Sequence, residues 1–75
     1  MSPQLFRFMR QAAGYTQQRL AAELGVSNIL ISRIEHGDRR ITEKIERKFR
    51  EVVGMTVERE ESAKALLKIG GDAKW

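Results

Sequence analysis

Seventy-five residues suffice for one small domain, and a chain of that size buries only about 60% of the surface it exposes when unfolded. The absence of cysteine excludes disulfides and cysteine-based zinc sites as staples, which leaves dimerisation as a common remaining source of stability. The formal net charge of +4 suits a polyanionic partner, whereas no apolar run approaches the roughly 18 residues that a membrane span needs.

The pattern predicts five helices and no strand. Ser2 is a good N-cap and Pro3 suits a first helical position, so a helix is expected over about 3–13. Leu5, Phe6, Met9, Ala12 and Ala13 share its inner face and Gly14 stops it. Thr16 caps a second helix over about 17–24, with Leu20, Ala21 and Leu24 inward. Gly25 permits a tight turn, Ser27 caps a third helix over about 28–35, and Gly37 ends it.

Thr42 opens a fourth helix over about 43–53, with Ile45, Phe49 and Val52 inward and Gly54 as the stop. Glu43–Arg47 and Glu46–Arg50 sit at i,i+4, the pattern of a solvated face. A fifth helix over about 57–69 follows Thr56. Its early Glu58, Glu60 and Glu61 and late Lys64 and Lys68 match the helix dipole, and Gly70-Gly71 ends it. The expected organisation is a single domain over 1–70 and a short tail over 71–75.

The third helix carries two chemistries. At about 100° per residue, Asn28, Ser32, Ile29 and Arg33 form one contiguous outward face, and Ile31 and Ile34 lie opposite. Leu30 falls on the border. The outward set suits base edges in the DNA major groove. Arginine donates twice to guanine, asparagine pairs with adenine, serine reaches several bases, and isoleucine can touch a thymine methyl. Charge agrees with this placement. Residues 1–40 hold six arginines (Arg7, Arg10, Arg19, Arg33, Arg39, Arg40) against Glu23, Glu35 and Asp38, whereas the remainder is nearly balanced.

The chain resembles the Cro/C1-type (XRE-like) helix-turn-helix family. The matching residues are Phe6, Met9, Arg10 and Gly14, then Thr16-Gln17, Leu20-Ala21, Leu24-Gly25-Val26-Ser27, Ile31-Ser32-Arg33-Ile34-Glu35 and Gly37, within about residues 5–53. The resemblance implies an all-α, lambda-repressor-like bundle of four to five short helices, with the helix-turn-helix at the second and third. It implies base contacts from Asn28, Ile29, Ser32 and Arg33, and backbone contacts from Gln17, Ser27, His36, Arg39 and Arg40. It also implies an ion pair between Arg10 and Glu35 that ties the first helix to the third. In size and layout the chain is similar to small phage repressors, including regulators of anti-CRISPR operons, and to restriction–modification controllers.

The expected partner is double-stranded DNA carrying a palindromic operator, bound by a homodimeric repressor. Met55, Val57, Ala63, Leu66 and Leu67 are the expected dimer contacts, against the alternative that this stripe packs on the chain's own helices. Trp75 is left to the interface or to a free tail. The competing function is an antitoxin-like module that masks a partner protein. One histidine, no cysteine and no phosphate-cradling glycine loop argue against an enzyme, a metal, a cofactor or a small-molecule ligand. Met1-Ser2-Pro3-Gln4-Leu5 lacks the basic start and apolar centre of a signal peptide, so a cytoplasmic location is expected.

Overall fold

The computed structural model describes residues 1–54 and 56–70, with the backbone alone at 57, 69 and 70. Met55, the tail 71–75 with Trp75, and the side chain of Val57 lie outside the described residues. Five helices follow in order: α1 (Pro3–Ala12), α2 (Gln17–Leu24), α3 (Asn28–Glu35), α4 (Glu43–Val53) and α5 (Val57–Gly70). There is no strand among the described residues, and the chain is all-α. None of these helices is long and apolar enough to cross a membrane.

Every helix starts on a hydroxyl cap. The side-chain oxygens of Ser2, Thr16, Ser27 and Thr42 accept from the amides of Leu5, Arg19, Leu30 and Ile45 at 3.1, 3.0, 3.1 and 3.2 Å. Thr56 does the same for Arg59 at 3.2 Å. Each cap satisfies an amide that has no partner within its helix, a contribution of about 1 kcal/mol.

The core is built where the helices converge. Phe6, Phe49, Leu20 and Ile31 are its fully buried large side chains, joined by Leu5, Met9, Ala21, Ile34, Val53 and Ala63. Phe6 of α1 stacks on Phe49 of α4, with ring centroids 4.2 Å apart. Burying such a side chain stabilises by about 1.5–3 kcal/mol, a large share of what a domain this small possesses. α2 lies on α3 and α4, and α1 bridges α3 and α5.

Several positions differ from the helical-wheel expectation. Ala12 is exposed, α1 ends there, and Ala13 is its C-cap. Val53 is buried whereas Val52 is only half-buried, so the core-facing stripe of α4 includes Val53. α5 continues through Gly70. Ala63 is 2% exposed, inside its own chain's core, while Leu66 is 53% exposed. The outer face of α4 is more than a solvated face. Arg50 reaches across to α5 and donates to both carboxylate oxygens of Glu60 at 3.0 Å, with Glu46 also 3.5 Å from its Nη2.

Candidate nucleic-acid interface

α2 and α3 are joined by three residues, Gly25-Val26-Ser27. Gly25 has φ +69°, in the left-handed region that a side chain disfavours, and its amide caps α2 by bonding to Ala21 and Ala22. The amide of Val26 returns to the carbonyl of Ala21 at 3.0 Å. These bonds satisfy the Ala21 and Ala22 carbonyls in the last turn of α2, and the Ser27 cap that opens α3 follows two residues after Gly25.

On α3, burial divides along the axis. Ile31 and Ile34 are 0% and 2% exposed. Asn28, Ile29 and Arg33 are exposed, Ile29 at 63%, and Ser32 is half-buried. The border residue Leu30 is half-buried against the core. An isoleucine left this open beside an asparagine and an arginine makes a mixed surface, able to donate hydrogen bonds and to cover an apolar group.

A buried polar cluster holds α3 against α1. Arg10, 8% exposed, donates from Nε to Glu35 Oε2 at 2.6 Å and from Nη2 to Glu35 Oε1 at 3.1 Å. Its Nη1 donates to the carbonyl of Tyr15 at 2.7 Å. The planar guanidinium thus joins the end of α1, the loop before α2 and the last turn of α3 in one plane. Gln17, the first residue of α2, donates from Nε2 to Glu35 Oε1 at 3.2 Å. No buried side-chain polar atom among the described residues lacks a partner.

Beyond α3 the chain turns on Gly37, whose φ of +81° disfavours a side chain. His36 caps the helix, and its Nδ1 donates to the carbonyl of Ser32 at 2.8 Å, leaving Nε2 as the ring nitrogen open to a partner. Arg39 and Arg40 follow, both exposed. Their stretch lies against Pro3 and Phe6 of α1 and Ile34 of α3, just beyond the C-terminal end of α3. Arg33, Arg39 and Arg40 engage no carboxylate among the described residues.

The structure brings Asn28, Ile29, Arg33, Ser27, His36, Arg39 and Arg40 to α3 and its two flanks. Gln17 lies at the adjoining end of α2, half-buried and held by Glu35. The Tyr15 carbonyl and the Gln17–Glu35 bond are parts of this site without a sequence signature. One depends on where a backbone oxygen points, the other on two residues 18 apart. Arg19, exposed on the first turn of α2, lies 5.7 Å from the centre of the Tyr15 ring, a cation–π distance.

A family model described as helix-turn-helix matches residues 6–58, most of the chain, and places the chain in that family. The comparisons with curated proteins and with solved structures gave no match.

Proposed function

We propose that this chain, which belongs to the Cro/C1-type helix-turn-helix family of DNA-binding transcription regulators, is a homodimeric repressor of a palindromic operator. The observation that carries the proposal is the outward face of α3. Asn28, Ile29 and Arg33 are exposed on a helix whose other face is buried in the core. That face matches what the major groove presents. Arg33 would address guanine O6 and N7, Asn28 adenine N6 and N7, Ile29 a thymine methyl, and Ser32 a neighbouring edge.

The flanks supply the charge. Arg39, Arg40, His36, Ser27 and the second amide hydrogen of Gln17 would meet the phosphate backbone on either side of α3, fixing register without reading sequence. The amides at the start of α2 would add to the Gln17 contact. A two-fold dimer through α5 would set two such helices about 34 Å apart, one turn of DNA, and would make the operator palindromic. Among the described residues of the expected contact set, exposed Leu66 is open to a second copy, whereas Leu67 turns toward α1. The working unit would be the single domain over 1–70, acting in the cytoplasm of a bacterial or phage-infected cell.

Selection of bound duplexes from a random DNA library at about 0.15 M salt, where non-specific binding is weak, tests this function. An enriched palindrome is the expected result. A folded protein that enriches no sequence would sink the repressor proposal and favour the antitoxin-like alternative, in which a protein partner is the main ligand.

A further inference from the structure

A groove runs between α1 and α5, on the side of α1 away from α3. Gln4, Phe8 and Gln11 recur at helical spacing along that side of α1, while Arg10 on the other side holds Glu35. Gln4, Arg7, Phe8 and Leu67 line one stretch of the groove, and Gln4, Leu67, Lys64 and Lys68 line the next. The apolar residues Phe8 and Leu67 are half-buried against the core, so each keeps part of its surface open to the groove.

The rim is cationic. Arg7, Lys64 and Lys68 are all exposed. The one acidic residue lining it, Glu60, is already held by both nitrogens of Arg50 at 3.0 Å, and Lys64 stands 3.8 Å from it. Arg7 and Lys68 engage no carboxylate among the described residues, and Lys64 shares its only one with Arg50, so the apolar floor lies beneath cations whose charge is largely unanswered.

We propose that the α1–α5 groove docks an acidic amphipathic segment of another protein. Its apolar side chains would cover Phe8 and Leu67, and its carboxylates would face Arg7, Lys64 and Lys68. Charge complementarity selects this occupant. A second copy docked groove to groove would bring the same three cations together, which is unfavourable. A nucleic-acid backbone could meet the cations but would leave the apolar surface of Phe8 and Leu67 uncovered. Because the groove faces away from α3, the segment and DNA could be bound together.

Peptides displayed as a random library and selected on the full chain at about 0.15 M ionic strength, with a Debye length of about 8 Å, provide the test. Enrichment of sequences with Asp or Glu flanking apolar residues at i and i+3 or i+4 is expected. Their affinity should fall at least about tenfold in the double variant Arg7→Glu, Lys68→Glu, with the fold and DNA binding retained because both residues are exposed. Phe8→Ala should also weaken them without a change of charge. Peptides that bind the charge-reversed chain equally well, or a selection that enriches nothing acidic, would overturn the proposal. So would a chain dimer that dissociates on the same reversal, since the occupant would then be a second copy. Displacement of the selected peptides by short non-specific duplex DNA would overturn it in favour of nucleic acid.

Discussion

Gln17 and Arg10 converge on the same carboxylate oxygen, Oε1 of Glu35, at 3.2 and 3.1 Å. The residue that opens α2 and the residue that ties α1 down are therefore oriented by one acid on the last turn of α3. Glu35 is 4% exposed at its side chain and Arg10 9%, so neither charge can fall back on water if the other is removed.

Glu35→Ala is expected to destabilise the fold by about 3–5 kcal/mol, since it leaves the Arg10 guanidinium buried without its anion. Arg10→Met combined with Glu35→Leu should regain most of that loss, because an apolar pair carries no desolvation penalty. It should not regain DNA affinity, because Gln17 loses the acceptor that orients it. Urea denaturation and DNA titration of the single and double variants separate the two effects. Full affinity in the double variant would show that the cluster serves stability alone.

Arg33→Ala should abolish preference at one or two base pairs, a loss of about 1–3 kcal/mol in discrimination, and leave thermal stability unchanged because the side chain is exposed. Selection profiles of the two proteins make the comparison. An unchanged profile would mean that α3 docks by another face.

Arg39→Ala with Arg40→Ala should weaken binding to all sequences alike. The slope of log affinity against log salt should shrink by about 2, close to 0.9 per lost phosphate contact. If affinity falls and the slope stays constant, the two cations do not touch phosphates.

Leu66→Asp is the cleaner probe of a dimer through α5, since Leu66 is 53% exposed while Ala63 supports the chain's own core. Monomers by sedimentation, with helical content retained and only weak binding to half-sites, are expected. Dimers that persist would place the contact elsewhere.

Glu60 holds its proton less tightly than an ordinary carboxyl, chiefly because Arg50 donates to its charged form; the Arg50 guanidinium is correspondingly raised. The lowered carboxyl contributes stability above its unfolded value, and that contribution is lost as pH falls through the folded one. Arg50 is partly solvated, so Glu60→Gln should cost only about 0.5–1 kcal/mol at neutral pH. The gap between the two proteins should close on acidification below about pH 4. Denaturation midpoints measured across that range report it, and a gap independent of pH would assign the cost to packing.

The sequence by itself determined the helices and the two faces of α3, because both are governed by residues within four positions of one another. A hydroxyl at Ser2, Thr16, Ser27 or Thr42 caps an amide two or three residues on, here the third, and Gly25 and Gly37 answer to their own φ angles. The periodicity that sends Ile31 and Ile34 inward leaves Asn28, Ile29 and Arg33 outside, whatever the neighbours are. The tertiary structure decided how wide each buried stripe became. Ala12 is exposed and Val53 buried because the packing partner, and not the wheel, sets the edge. It also decided which polar groups meet. Arg50 chose Glu60 on α5 in addition to Glu46 one turn away, and Gln17 turned to Glu35. Such pairs depend on the distance between helices after packing, a quantity with no local signature in the chain.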